Sequence, residues 1–456
     1  MNLRSKLAVR CAKVTGSFIR KLNRGSGVTL PGYIARLIDP NILSVMAAMI
    51  SEKIIVTMGT NGKTTTNAIL STALEAEGYK VIINRTGANM LNGIISAFVL
   101  ATDRQGQLHA EYACIEVDEI ASVRVLPKLQ PDRILLTNIS RDQLDRFGEI
   151  DITFQTLKTA ISSVSTTLII NGDDVLSYSL AAESNNPFVT FGINEQIFDD
   201  FARSDSRDSV FCRSCGERLA YQFYHYGHIG KYYCDCGLTR PKPDYTASRI
   251  VLEDEVYSFK LADLPIQSTA RTPYNIYNTL SAYATLQTLD VSLPHLKSSL
   301  EGFDYGNNRE SSLMIGDSRV QLHLSKNPIG FQQKISLILK DETPKDLILL
   351  INDTYQDGED VSWLWDVDFQ YLADAKASTI TTAGTRRHDM GLRLKYEGIS
   401  CDSTTDLSQT LTHLLKNGTR NLYLIVNYSG LYSTNRLLES LRETYLNNNS
   451  SSAPNL

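Results

Sequence analysis

Residues Thr57–Thr66 read TMGTNGKTTT, and no other stretch limits the possible folds of this chain as strongly. The apolar run Ile54-Ile55-Val56 before them has the character of a buried strand, and Asn67-Ala68-Ile69-Leu70 after them opens a helical pattern. Strand, glycine turn and helix in that order make a phosphate-binding loop, in which backbone N–H groups and the positive helix end face the anion. Gly62 lets the backbone approach closely, Lys63 reaches the outer phosphates, and the Thr64 hydroxyl suits Mg²⁺. Gly59, Thr60, Asn61 and Thr65 complete the candidate ATP contacts. Thr57 departs from the usual motif, which has its first glycine there. A chance Gly-Lys-Thr in a surface turn is the competing reading, and it leaves the flanking strand and helix unexplained.

Beyond the loop, β-branched runs at Val81–Asn84, Ala113–Val117, Ile134–Thr137 and Thr167–Ile170 alternate with helical patterns. That alternation predicts an α/β fold with a doubly wound, mostly parallel sheet. Ile250–Leu261 reads as paired strand and Tyr274–Leu289 as an Ala- and Leu-dense helix. A smaller α/β region starts near Ser311, with strands expected at Gln321–Leu324, Leu347–Ile351, Ser378–Thr382 and Leu422–Val426. A chain of 456 residues exceeds one ordinary core. The expected domains are a basic N-terminal segment (1–50), an ATPase domain (51–310) with an insert at about 205–245, and a C-terminal domain (311–446). The Asn/Ser-rich tail, 447–456, is expected to be disordered.

A net charge of −5 gives the whole chain no electrostatic reason to bind nucleic acid. Apolar runs are too short for a membrane span and the N-terminus lacks a secretory h-region, so the expected location is cytoplasmic. The first forty residues nevertheless carry Arg4, Lys6, Arg10, Lys13, Arg20, Lys21, Arg24 and Arg36 against one acid, Asp39. Leu3, Leu7, Cys11, Val14, Phe18 and Leu22 recur at helical spacing, which predicts a basic amphipathic helix. It either contacts an anionic membrane surface or packs on the ATPase domain with a solvated basic face, the commoner arrangement.

Cys212-x-x-Cys215 and Cys234-x-Cys236, followed by Gly216 and Gly237, have the spacing of a four-thiolate zinc ribbon. A closed shell of four thiolates makes the zinc structural. Disulfides are the rival, disfavoured in a reducing cytosol. His225 and His228 lie between the knuckles and are alternative ligands, although four cysteines already fill the shell. Ribbons also occur in nucleic-acid binders, and Arg213, Arg218, Lys231, Arg240 and Lys242 make the insert basic. A nucleic-acid-binding ATPase is therefore a competing class, separable by salt-dependent binding.

Glu116 closes the strand-like run Cys114-Ile115-Glu116, where a carboxylate can hold the Mg²⁺ of ATP or form a strand-end salt bridge. With the phosphate loop, three further motifs occur in order: Thr137-Asn138-Ile139 with Asp142-Gln143-Leu144-Asp145, then Asn171-Gly172-Asp173-Asp174, then Asn275-x-x-Asn278 with Arg309-Glu310. From about residue 50 to 330 this set resembles the ATP-dependent Mur ligases and folylpolyglutamate synthases. The resemblance implies that ATP phosphorylates a carboxylate, that an amine attacks the acyl phosphate, and that Asn275 and Arg309 lie near the nucleotide. Gln143 stands where many relatives have a metal-binding histidine. Only about fifty residues precede the loop, which implies a substrate other than a soluble UDP-sugar.

The cysteine insert, Lys326-Asn327-Pro328-Ile329-Gly330, Asn352-Asp353 and the stretch from Asp357 to Asp366 narrow the resemblance. They are similar to the MurT family, the synthetase subunits of lipid II isoglutaminyl synthases. That resemblance implies a heterodimer with a glutamine amidotransferase subunit that supplies ammonia. It implies amidation of the D-glutamate α-carboxylate in the lipid II stem peptide, and Asp360 orienting the histidine of the partner's Cys-His pair. Asp357 is the fallback for that role. Read alone, Trp363 and Trp365 among Asp357, Asp360, Asp366 and Asp368 mark either a site loop or a strand edge with solvated acids. No nucleophile motif for glutamine hydrolysis is present, so ammonia comes from solution or a partner. The alternative function is a stand-alone ligase of the Mur or folylpolyglutamate type, with an amino acid as nucleophile.

Overall fold

The computed structural model describes residues 1–21, 28–84, 87–103, 105–142, 149–197, 208–253, 256–305, 310–354 and 357–450. They form two compact units: Met1–Ser140 with most of 150–304, and Tyr305 onward together with Arg141, Asp142 and Glu149. The first unit opens with α1 (Leu3–Lys21), α2 (Leu30–Ile38) and α3 (Ile42–Ala47). Strands and helices then alternate: β1 (Lys53–Met58), α4 (Lys63–Ala76), β2 (Val81–Ile83), α5 (Leu91–Ala101), β3 (Tyr112–Glu116) and α6 (Glu119–Leu129). β4 (Arg133–Leu136), α7 (Ile150–Ser162), β5 (Thr167–Asn171), α8 (Val175–Ala182) and β6 (Phe188–Ile193) continue the pattern. A hairpin, β7 (Ala220–Tyr226) and β8 (Ile229–Tyr233), interrupts it. β9 (Tyr245–Glu253), β10 (Val256–Leu261), β11 (Leu264–Gln267), α9 (Pro273–Gln287) and α10 (Leu296–Glu301) complete the unit.

Nine strands make one sheet in the order β11-β10-β9-β6-β5-β4-β1-β3-β2. It is parallel from β2 to β9, and β10 and β11 add an antiparallel edge. Helices on the faces of a parallel sheet leave its strands dry, so β1 is mostly apolar, with Ile54, Ile55, Val56 and Met58 buried and the polar Thr57 buried with them. Each such apolar side chain stabilises the fold by about 1.5–3 kcal/mol. From β1 the chain moves to β2 and β3 on one side and to β4 on the other, so the strand order reverses there. Thr57 lies opposite Glu116 and Met58 opposite Leu136, which brings the three strand ends level. A crevice beyond strand ends at such a reversal is where doubly wound sheets bind ligands.

Helix α1 forms where the amphipathic pattern predicts one, but it buries the opposite face. Ser5, Ala8, Val9, Ala12 and Gly16 face inward, whereas Leu3, Leu7 and Val14 face solvent. Small residues permit the close approach: a Cβ on Gly16 would lie 3.2 Å from Pro31 Cγ at the start of α2. At the other end, Arg4 Nε donates to the Ile38 carbonyl, so the two helices run antiparallel. No helix among the described residues is long and apolar enough to cross a membrane.

The second unit comprises β12 (Glu310–Ile315), β13 (Ser318–Leu324), α11 (Pro328–Lys340), β14 (Lys345–Leu350), β15 (Ala377–Ala383) and α12 (Arg387–Tyr396). β16 (Asp402–Ser403), α13 (Leu407–Lys416), β17 (Asn421–Val426) and α14 (Tyr428–Ser450) follow. Its sheet runs β12-β13-β17-β14-β15-β16, parallel except for β12. β6, β11 and β12 were not expected from the sequence, and β12 reads ESSLMI, without the apolar run of a buried strand. Of the tail expected to be disordered, 447–450 continue α14, and 451–456 lie outside the described residues.

Candidate nucleotide and metal sites

The phosphate loop leaves β1 at Gly59 and enters α4 at Lys63. Gly59 and Gly62 take φ of 114° and 86°, a region other residues occupy only with strain. A Cβ on Gly62 would meet Asn278 Oδ1 at 2.2 Å, and one on Gly59 would meet Thr137 Oγ1 at 2.5 Å. Glycine is thus required by both backbone shape and space. Gly62 caps α4 without a side-chain bond, which leaves the first-turn N–H groups for an anion.

The residues after β4 strap the loop in place. Thr60 N donates to Asn138 O at 2.8 Å, Asn61 N to Asn138 Oδ1 at 3.1 Å, and Thr137 Oγ1 to Asn61 O at 2.7 Å. Asn278, on α9, accepts from Thr66 Oγ1 at 3.3 Å and donates to Asn275 Oδ1 at 3.0 Å. Asn275 is therefore one residue removed from the loop, in the helix packed on α4. Thr65 is half-buried on the first turn of α4. Arg309 and Gln143 lie outside the described residues.

Two carboxylates face the start of α4. Thr64 Oγ1 donates to Glu116 Oε2 at 2.6 Å, and Asn89 Nδ2 donates to Glu116 Oε1 at 3.0 Å. A hydroxyl beside a carboxylate is the hard oxygen set that Mg²⁺ prefers, so these residues fit the ion. Lys63 Nζ lies 2.9 Å from Glu119 Oε1, and both side chains are buried. Burial pushes the Glu119 carboxyl above its ordinary range, against the pull of Lys63. Sequence reading did not single out Glu119. Its signal was position: it is the first residue of α6, capped by Asp118, three residues beyond Glu116.

The four cysteines converge. Their sulfurs lie within 4.8 Å of one another, with Cys212–Cys236 at 3.6 Å and Cys215–Cys234 at 3.5 Å. Metal–sulfur bonds of about 2.3 Å in a tetrahedron set sulfurs about 3.8 Å apart, so the set fits one tetrahedral metal. A disulfide requires about 2.05 Å. Gly216 and Gly237 turn each knuckle at φ of 80° and 100°. Ser214 N points at Cys212 Sγ from 3.4 Å. Burial opposes ionisation of Cys212, but the N–H groups of Ser214 and Cys215 and the neighbouring thiols bring it down to about 7.

Neither histidine joins this cluster. His228 Nε2 lies 3.0 Å from Asp174 Oδ1, fully buried, and His225 stands edge-on to Tyr277. Asp174 also accepts from Ile139 N at 2.8 Å, and Asp173 accepts from Arg240 Nε, Tyr277 Oη and Ile193 N. These two aspartates, known from sequence only as part of a motif, knot the hairpin to the sheet beside the loop. Two of the insert's cations serve internal pairs: Arg240 with Asp173, and Arg213 with Asp151 at 2.6 Å.

Burial lowers the His225 pKa from 6.5 to about 4. A depressed folded pKa favours the neutral ring, so its contribution is complete above pH 6.5 and disappears as pH falls through 4. That interval corresponds to about 3 kcal/mol. His225→Phe is expected to remove this loss, which denaturant midpoints of both proteins between neutral pH and pH 4 would show.

In the second unit, the two tryptophans separate. Trp363 is buried against Phe331, and Trp365 is exposed beside Tyr396 and the Arg393 guanidinium. Asp357 is buried, accepting from Ser429 N at 2.8 Å and from Thr354 Oγ1. Asp360 is partly exposed and uses Oδ1 to accept from Ser362 N at 2.7 Å. Asp357 ties the start of α14, whereas Asp360 is only half-buried. Asn327 caps α11 by accepting from Gly330 N, and Lys326 pairs with Asp142 at 2.6 Å.

A phosphate loop at the strand-order reversal, followed by a second α/β unit, defines a nucleotide-binding α/β protein. The family model for the Mur ligase middle domain matches residues 56–286, and that for the MurT ligase C-terminal region matches residues 324–431. The chain is 33% identical over 401 residues to the lipid II isoglutaminyl synthase (glutamine-hydrolyzing) subunit MurT of Staphylococcus aureus (strain COL), covering 86% of this chain and 88% of that one. It is 32% identical over 458 residues to the subunit of the same name from Streptococcus pneumoniae, covering 96% and 98%. Among solved structures, a pseudomurein peptide ligase type C from Methanothermus fervidus shares the fold with a TM-score of 0.67 at 19% identity, over 87% of this chain and 80% of that one. MurF from Acinetobacter baumannii does so with 0.64 at 15% identity, over 90% and 80%. The chain belongs to the MurT family of Mur-type ligases.

Proposed function

We propose that this chain uses ATP to activate the α-carboxylate of D-glutamate in the lipid II stem peptide, and that ammonia then converts the acyl phosphate to the amide of D-isoglutamine. The observation that carries the reading is the loop itself, with Lys63 and the Thr64–Glu116 pair at its mouth, in a chain of the MurT family. Lys63 and the α4 N-terminus would stabilise charge on the transferred phosphoryl group, and Thr64 and Glu116 would hold the Mg²⁺ that neutralises it. Zn²⁺ in the four-thiolate cluster would be structural, because a closed shell leaves no open position. Ammonia would come from a glutamine amidotransferase subunit in a heterodimer, and the substrate's lipid anchor would place the work at the inner membrane surface.

The test supplies the purified chain with Mg-ATP, lipid II and ammonium chloride, then reads the stem peptide by mass spectrometry. Carboxyl-to-amide exchange is expected. Failure both with ammonium and with glutamine plus a glutaminase subunit would overturn the reading. Amino-acid addition in place of amide would assign the stand-alone ligase instead.

Asp360, half-buried where Asp357 is fully buried, is proposed to orient the partner's catalytic histidine. Asp360→Asn is then expected to lower glutamine-dependent amidation by about a thousandfold, while ammonium-dependent amidation stays near wild type. Equal loss from both nitrogen sources would place Asp360 in the synthetase step.

A further inference from the structure

The two N-terminal helices turn apolar stripes to solvent. On α1, Leu3, Leu7 and Val14 are 86%, 54% and 70% exposed. On α2, Leu30, Tyr33 and Leu37 recur at i, i+3 and i+7 and are 40%, 41% and 60% exposed. Nothing in the folding of this unit needs these side chains outside: α1 and α2 already bury Ala8, Val9, Ala12 and Ala35 inward. Leaving six large apolar groups in water is unfavourable, and such a surface marks an interaction site.

The charges around the stripes select the occupant. Arg10 lies on the exposed face of α1, with Lys6 beside it, and Arg36 lies in the last turn of α2. Neither helix contains an acid. Asp39, the single acid among the first forty residues, is buried and accepts from Ser5 Oγ at 2.6 Å. This region is thus cationic at its surface in a chain whose net charge is −5. Apolar residues flanked by cations on helices too short or too polar to span a bilayer are the pattern of helices that lie in an anionic lipid interface.

We propose that α1 and α2 form a docking face for an anionic membrane surface, with Leu3, Leu7, Val14, Leu30, Tyr33 and Leu37 entering the headgroup layer. Lys6, Arg10 and Arg36 contact the phosphates. The inference deepens the reading that the chain works at a membrane surface. Its test reads lipid binding without any amidation step, so the two can fail separately.

The full chain is sedimented with vesicles of phosphatidylglycerol and phosphatidylcholine, and with vesicles of phosphatidylcholine alone. Binding to the anionic vesicles, weakened by salt, is expected. Leu7→Ser, Val14→Ser and Leu37→Ser combined are expected to lower that binding at least about tenfold, with thermal melting and ATP binding unchanged, because all three side chains are solvent-facing. Lys6→Ala with Arg10→Ala is expected to reduce the preference for anionic vesicles. No vesicle binding by the wild-type chain, or binding that survives the triple substitution, would overturn the proposal. So would light scattering that shows a dimer dispersed by the triple substitution, since the face would then belong to a second copy. Loss of glutaminase-subunit binding in the triple variant, with vesicle binding intact, would assign the face to that protein.

Discussion

Lys63→Ala is expected to lower ATP-dependent amide formation by about a thousandfold, equivalent to about 4 kcal/mol of transition-state stabilisation. Its ammonium is hydrogen-bonded within the loop, to the Thr60 carbonyl, and it is the first residue of α4, where the proposed phosphates would sit. The substitution has a second effect that must be separated from the first. It leaves Glu119 buried without its partner, and breaking a buried pair by removing one member costs about 3–5 kcal/mol of stability. Combining it with Glu119→Gln removes the orphaned charge. The double variant is expected to recover much of the lost stability by thermal melting and none of the activity by mass spectrometry. Activity within about tenfold of wild type in either variant would show that Lys63 does not contact the transferred phosphate.

Emptying the proposed zinc cluster is expected to weaken the nucleotide site from a distance. One zinc per chain is expected by elemental analysis, absent after Cys212→Ser with Cys215→Ser. Structural zinc contributes about 10–16 kcal/mol of apparent binding energy in isolated fingers. Here the hairpin keeps other anchors, so the expected cost is several kcal/mol. The route to the loop is continuous: the hairpin carries His228, which bonds Asp174, which holds Ile139 N, whose neighbour Asn138 straps Thr60 and Asn61. The metal-free variant is therefore expected to bind ATP at least about tenfold more weakly in a titration, beyond its lower melting temperature. An unchanged ATP affinity in a zinc-free chain would confine the cluster to the hairpin itself.

The phosphate loop, the parallel sheet and the knuckles are all legible in the amino-acid sequence, because each is a local pattern. A Gly-Lys-Thr turn between strand and helix, dry strands of Ile and Val, and paired cysteines followed by glycine carry their physics within a few residues. Where the pattern is long-range, sequence reading misses or inverts it. Glu119 meets Lys63 only because β3 lies beside β1. The roles of Asp173 and Asp174 depend on a hairpin about fifty residues further on. His225 and His228 have a plausible spacing for metal and instead fill the protein side of the insert.

Helix α1 shows the division most plainly. Its sequence determined that a basic amphipathic helix would form, since helical period and charge are properties of the segment alone. Which face turned inward was decided by the surface waiting for it. Pro31 and α5 come too close for leucines, and Ala8, Ala12 and Gly16 fit. Likewise, Asp357 and Asp360 stand three residues apart in the sequence, and only the folded chain shows that α14 takes Asp357 as its N-terminal tie. Local chemistry named the candidates, and packing between distant segments chose among them, because burial and hydrogen-bond partners exist only once the chain has closed on itself.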